Sequence, residues 1–209
     1  VKPFIMGNRS HMAKTFKIYR ENDEKFCLPK YYGIKNFGNP DLTDFNQSKE
    51  IDLSFNGDLR DYQKKVVDTV IPKIKNQEGG TISLPPGRGK TVIACNIISK
   101  LKTKTLVIVH KTFLLNQWKN RIEYFLPNSK VGIIQGKTID VDNKDIVIGM
   151  LQTLSLKDDY PDDIFDDFGC IIFDECHHLS AEKFSQILRK ISLRYMIGLS
   201  GTPFRNDKL

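Results

Sequence analysis

A parallel β-sheet covered on both faces by helices is the architecture this sequence predicts. Three observations predict it. Short apolar runs alternate with helical stretches from residue 56 onward; several of those runs are apolar on both faces; and the unusual polar residues follow the runs directly. Strands buried on both sides belong to parallel sheets sandwiched by helices. In such sheets, ligands bind at the carboxyl ends of the strands.

The elements follow in order. Residues 58–75, DLRDYQKKVVDTVIPKIK, read as a helix with Asp58 as N-cap and Tyr62, Val66, Val67, Val70 and Ile74 on one face. Asn76 to Gly80 ends it, TISL is a short strand, and PPGRGKT is a loop. VIACNIISKL is apolar enough to be a buried helix, and TLVIVH is a strand. TFLLNQWKNRIEYFL is a helix whose core stripe is Leu114, Leu115, Trp118, Ile122 and Phe125. VGIIQ, DIVIGM, CIIFD and YMIGLS are strands, and SAEKFSQILRKI is a helix. KDDYPDDIFDDF, with six aspartates, reads as a solvated loop or short helix, since it lacks calcium-loop spacing.

Residues 13–55 differ, and are expected to form a small extension of short strands and loops, with KTFKIYR as one strand. Residues 1–12 are read as tag or vector sequence because of Ser10-His11-Met12, leaving 56–209 as the main domain. No apolar run approaches the roughly 20 residues of a membrane span, and no secretory signal is visible. A soluble intracellular protein is expected. The four cysteines, Cys27, Cys95, Cys170 and Cys176, form no CxxC pair. That argues against zinc and against a disulfide framework, and for reduced buried thiols. The net charge of +7 suits a nucleic-acid partner, but is also common in basic proteins without one.

Gly87-Arg88-Gly89-Lys90-Thr91 sits between a strand and a helix. Glycines let successive N–H groups converge on a phosphate, and the helix adds its positive end. Lys90 can reach the phosphates, and the Thr91 hydroxyl can ligate Mg²⁺. The full phosphate-loop pattern asks for Gly at position 84, where this chain has Leu84. The alternative is a Gly-rich turn with an exposed lysine.

The run IIFDECHHLS admits three readings: a metal site, a cysteine nucleophile with its base, or half of a magnesium-nucleotide site. Cys176, His177 and His178 are consecutive and cannot all face one ion. Cys176 shows no base or electropositive pocket. Asp174 at a strand end can hold Mg²⁺, and Glu175 is then free to polarise water.

LRDYQ, PPGRGKT, LVIVHKTFLLNQW, IGMLQT, DECH and LSGTPFR, in this order and spacing, resemble the motifs of superfamily 2 helicases and translocases across residues 58–205. The forms are most similar to the branch holding XPB-type helicases, type III restriction translocating subunits and transcript-release helicases of large DNA viruses. The resemblance implies a RecA-like lobe that uses ATP and Mg²⁺ to translocate on or unwind DNA or RNA. It implies that Gln63 reads adenine; that Pro86, Gly87, Arg88, Gly89, Lys90 and Thr91 cradle the nucleotide, Arg88 without a catalytic role; and that Thr91 and Asp174 hold Mg²⁺. Glu175 would orient water, and His177 would link the nucleotide to Ser200 and Thr202. His110, Lys111, Gly136, Gln152 and Thr153, with neighbouring Thr112 and Gln135, would contact nucleic acid. A second RecA-like lobe, carrying an arginine finger worth about 10³–10⁵ in rate, would complete the site. A lobe alone would bind nucleotide weakly and hydrolyse it poorly. A restriction-complex subunit and a non-catalytic nucleic-acid scaffold are the alternatives.

Overall fold

A computed structural model describes residues 19–21, 23–43, 48–156, 160–161, 163–178, 186–188, 191 and 193–202. The main domain is a seven-stranded sheet. Its strands are β3 (Gly79–Ser83), β4 (Thr105–Val109), β5 (Val131–Gln135), β6 (Thr138–Ile139), β7 (Ile146–Met150), β8 (Cys170–Phe173) and β9 (Tyr195–Ser200), in the order β3-β9-β8-β4-β7-β5-β6. Every pairing is parallel except β5–β6.

The two-faced apolar runs place one core on each side. Val107, Val109, Ile146, Ile148, Cys170, Ile172, Ile197 and Leu199 face α2 (Asp61–Gln77), α3 (Lys90–Leu101) and α4 (Thr112–Phe125). Leu106, Ile108, Val147, Ile171 and Phe173 face a second cluster. It holds Leu151 and Leu154 of α5 (Leu151–Leu156), Phe165, Phe168, Ile187 and Ile191. The expected stripe of α4 is buried at Leu115, Trp118 and Ile122, with Leu114 and Phe125 partly covered.

Two local expectations change, and a third gains an anchor. Asp58 does not cap α2: the helix begins at Asp61, and the Gln63 side chain accepts the Arg60 N–H at 2.9 Å, one half of a capping box. Residues 30–37, expected to be strand and loop, form α1 (Lys30–Phe37), started after Pro29 and closed where the Gly38 N–H reaches Ile34 O. This is the Pro-before, Gly-after punctuation of a helix. The described part of the aspartate-rich segment is a turn with Asp163 and Asp166 exposed, in line with a solvated loop, but it is anchored: Phe165 and Phe168 are buried, and Lys104, itself 1 % exposed, pairs with Asp167 at 2.7 Å.

The strand expected over 14–20 lies mostly outside the described residues; within them, β1 (Arg20–Glu21) pairs antiparallel with β2 (Phe26–Cys27). The helix expected over 180–191 is described only at residues 186–188, which are helical, and at Ile191, whose N–H donates to Ile187 O at 3.2 Å. The extension meets the main domain through Glu78, whose carboxylate pairs with Lys30 and Arg194 and whose carbonyl accepts the Tyr31 hydroxyl at 3.1 Å. Residues 49–56 run along the main domain, with backbone bonds from Lys49 to Asp167, Ile51 to Lys102 and Asn56 to Phe125. Among the described residues, no helix is long and apolar enough to cross a membrane.

Candidate nucleotide and nucleic-acid site

The strand order sorts the polar loops into two neighbouring groups along the carboxyl edge of the sheet. The loops after β3, β8 and β9 carry the phosphate loop, Asp174–His177 and Ser200–Thr202; the loops after β4, β5 and β7 carry His110–Thr112, Gln135–Gly136 and Gln152–Thr153. Strands β8 and β4 are neighbours, so the two groups meet there.

In the first group, Gly89 caps α3 at φ +75°, a left-handed position that suits glycine. A side chain there would also strike Gln63, whose Nε2 lies 2.4 Å from an ideal Cβ. Gln63 is 5 % exposed. Its amide is engaged at both ends, accepting from Arg60 N and donating to Arg88 O at 3.3 Å. Tyr62 donates to the same carbonyl at 3.0 Å, and the Arg88 guanidinium lies over the Tyr62 ring. Here Gln63 therefore joins the start of α2 to the phosphate loop. Pro86 and Gly87 are exposed in that loop, and Thr91 is half-buried in the first turn of α3.

Lys90 is buried. Its Nζ donates to Leu84 O at 3.3 Å and pairs with Glu175 Oε1 at 3.3 Å. Leu84, in place of the pattern's glycine, also bonds through its N–H to Ser200 O at 3.0 Å, prolonging the β3–β9 ladder. The other Glu175 oxygen lies 3.3 Å from His177 Nδ1 and accepts the Gly201 N–H at 3.2 Å. His177 Nδ1 also lies 3.0 Å from Ser200 Oγ, and Ser200 and Thr202 bond to each other. Glu175 has φ +49°, an uncommon conformation for a non-glycine residue. Such backbone persists only where surrounding contacts fix it.

Asp174 is buried, and burial pushes its carboxyl above the usual carboxylate range. The Trp118 indole bond opposes that shift, and neighbouring Glu175 adds to it. Trp118 Nε1–H donates to Asp174 Oδ2 at 2.8 Å, and Glu175 N–H donates to Oδ1 at 3.1 Å. A buried carboxylate carrying an electrostatic penalty suits a cation, because a divalent ion relieves it. Asp174 and the Thr91 hydroxyl are oxygen donors of the kind Mg²⁺ prefers.

Cys176 is packing: its Sγ would lie 3.0 Å from a Cβ on Gly198. Burial pushes the Cys95 and Cys170 thiols up to about 12, which keeps them inert. Cys27, expected to be buried, is exposed. Backbone residues 176–178 form a 3-10 turn.

The second group is tied together by its own bonds. Gln152 Nε2 donates to His110 O at 2.9 Å, Gln135 Nε2 donates to Thr112 Oγ1 at 3.3 Å, and the Gly136 N–H donates to Thr153 Oγ1 at 2.9 Å. The three loops form one polar surface beside the α4 N-terminus. Two features escape periodicity. Phe113 is 61 % exposed with the Lys111 ammonium 5.8 Å from its ring, and Trp118 serves Asp174 as well as the core.

Residues 56–205 match the family described as "Type III restriction enzyme, res subunit". A mimivirus protein (Acanthamoeba polyphaga mimivirus) whose name carries the words ATP-dependent RNA helicase is 40% identical over 212 residues. That alignment takes in 99% of this chain, the extension included, and 40% of the relative. A DNA 3'-5' translocase of the archaeon Sulfurisphaera tokodaii is 36% identical over 72% of this chain and 32% of its own length. The chain thus spans about two fifths or less of these relatives. Two solved structures share the fold. The Sulfolobus solfataricus SWI2/SNF2 ATPase core, in complex with dsDNA, superposes with TM-score 0.63 at 22% identity over 79% of this chain and 36% of its own. The UvsW helicase of bacteriophage T4 gives 0.56 at 23% over 87% and 73%. The chain belongs to the type III restriction enzyme res-subunit family, as a RecA-like lobe of the superfamily 2 helicases.

Proposed function

We propose that this chain is the ATP-binding lobe of a nucleic-acid-dependent ATPase that couples hydrolysis to movement along, or separation of, nucleic-acid strands. The observation that carries this reading is the chain of contacts from Lys90 through Glu175 to His177 and Ser200. It lies beside a second polar surface on the same sheet edge. ATP supplies the phosphoryl group for transfer, and Mg²⁺, held by Thr91 and Asp174, neutralises its oxygens.

The chain's own residues do the rest. The loop from Pro86 to Gly89 presents backbone N–H groups to phosphate. Lys90, paired here with Glu175, exchanges that partner for phosphate oxygens and so releases the Glu175 carboxylate to orient water and take its proton. Gln63, already bonded to Arg88 O, places the start of α2 where an adenine edge can be read. His177, between Glu175 and Ser200, passes the state of the site to Ser200–Thr202. On the second surface, His110, Lys111, Gly136, Gln152 and Thr153 contact the sugar–phosphate backbone, assisted by the positive end of α4. The relatives' names carry RNA in the virus and DNA in the archaeon. A second RecA-like lobe supplies the facing wall.

The test is ATP turnover by the full-length protein with single-stranded DNA, duplex DNA and RNA in turn. At least one should raise the rate, and Lys90→Ala and Glu175→Gln should each lower it by about a hundredfold or more. Nucleic-acid-independent turnover, or turnover unaffected by both changes, contradicts the reading.

A further inference from the structure

Trp118 is fully buried in the core that contains Ile97, Val109, Leu115 and Ile122. Packing alone asks for an aromatic ring of that size. It does not ask for a donor, and phenylalanine would fill most of the space. A buried indole N–H needs an acceptor, and here the acceptor is Asp174 Oδ2, 2.8 Å away in a buried bond. The other oxygen of Asp174 accepts from Glu175 N. Both oxygens are therefore oriented, one by its own loop and one by a helix that belongs to the other surface.

That helix is α4. Its N-cap is Lys111, and Thr112 accepts a bond from Gln135. Trp118 lies six residues beyond Thr112, about 9 Å along the axis. α4 packs on α3, which carries Lys90, and on β7, whose end leads into Gln152. A regular helix moves as a unit, so a displacement of its N-terminus reaches the indole. We propose that Trp118 is a positioning residue: it fixes the Asp174 carboxylate for the metal and carries the nucleic-acid-bound state of the α4 N-terminus to it. This rests on the roles of Asp174 and of the α4 N-terminus proposed above.

The test compares Trp118→Phe with the parent full-length protein. Nucleotide affinity is read with a fluorescent non-hydrolysable ATP analogue, in EDTA and in Mg²⁺. Oligonucleotide affinity is read without nucleotide, and the ATPase rate with and without oligonucleotide. The expected result is unchanged affinity in EDTA and unchanged oligonucleotide affinity. The affinity gained on adding Mg²⁺ and the fold stimulation by oligonucleotide should both shrink, by about tenfold, the scale of one lost hydrogen bond to a charged group. A purely structural role would lower all four readouts together, and that outcome, or no change in the Mg²⁺ gain and stimulation, overturns the proposal. Asp174→Asn separates the two levels. If it keeps the full Mg²⁺ gain, the metal assignment fails and the relay with it; if it loses the gain while Trp118→Phe does not, the relay alone fails.

Should Trp118→Phe fold poorly, the indole can be followed directly in full-length protein in which any tryptophan outside residues 1–209 is replaced by phenylalanine, since Trp118 is the one tryptophan within them. The ultraviolet resonance Raman band that reports indole N–H bonding should shift when oligonucleotide binds. A band that oligonucleotide leaves in place overturns the relay.

Discussion

Gly89→Ala puts one methyl group into the tightest joint of the phosphate loop, and the structure sets its cost. Gly89 sits at φ +75°, where a residue with a Cβ costs about 1–2 kcal/mol. The new Cβ would lie 2.4 Å from Gln63 Nε2, too close for contact, so the carboxamide must turn away. Turning removes its bond to Arg88 O and disturbs its bond from Arg60 N, each worth about 1 kcal/mol. The total is about 2–4 kcal/mol, a fall in Tm of roughly 5–15 °C for a domain of this size. Gln63→Ala forfeits both bonds by itself but opens the space. In that background, Gly89→Ala should cost only the dihedral strain, so the two changes together should cost about 1–2 kcal/mol less than their sum. Urea or thermal unfolding of the four proteins measures this. Strict additivity, within about 0.3 kcal/mol, would refute the claim that Gln63 and the phosphate loop are mechanically joined.

Other outcomes follow from the same geometry. Lys104→Met should destabilise by about 2–3 kcal/mol, because Val141 O loses a buried donor; Asp167 is half-exposed and stays solvated, which keeps the cost below that of a fully buried pair. Equilibrium unfolding checks it, and a cost near zero would mean that Lys104 does not anchor the aspartate-rich segment. Asp174→Asn should flatten the pH dependence of the nucleotide-free fold, because asparagine does not ionise, while its single acceptor oxygen cannot serve both the Trp118 and Glu175 N–H groups and so costs stability at every pH. The folded-state pKa of Asp174 is raised, so its ionised form destabilises the fold at high pH, and that penalty fades as pH falls through the raised pKa toward the unfolded value. Melting curves across pH should show the parent losing stability relative to the Asn variant as pH rises; a gap between the two that does not change with pH contradicts this. Phe113→Ala should weaken single-strand binding by about 1–3 kcal/mol, if a base stacks on that exposed ring, with no change in Tm. Fluorescence anisotropy with labelled oligonucleotides decides it.

Much of this was legible because the sheet announces itself. Runs such as TLVIV and CIIF are apolar at every position, and only burial on both faces accommodates that. The acidic and glycine-rich ends of those runs then fell on one edge, as parallel topology requires. What stayed hidden was what a side chain does beyond its hydrophobicity. Trp118 appears in the sequence as one member of a helical stripe, and nothing in that period shows where its N–H points. Lys104 is a charge before a strand, ordinarily solvated, yet it is almost fully buried against Phe168 and Asp167. The resemblance assigns Gln63 to adenine, while its bond to Arg88 O depends on a loop folded back from 25 residues away. Helix α1 is hidden from propensity, because its two tyrosines, phenylalanine and central glycine are weak helix formers that flanking Pro29 and Gly38 outweigh.

In the proposed arrangement one sheet edge holds two adjoining sites, nucleotide on the β3–β9–β8 side and nucleic acid on the β4–β7–β5 side. Amide hydrogen exchange of the protein, with a non-hydrolysable ATP analogue and Mg²⁺ and separately with an oligonucleotide, measures it directly. The nucleotide should protect segments 84–91, 174–177 and 200–202, and the oligonucleotide should protect 110–113, 135–136 and 152–153. Protection of the same segments by both ligands, or of neither set by its own ligand, would contradict the account.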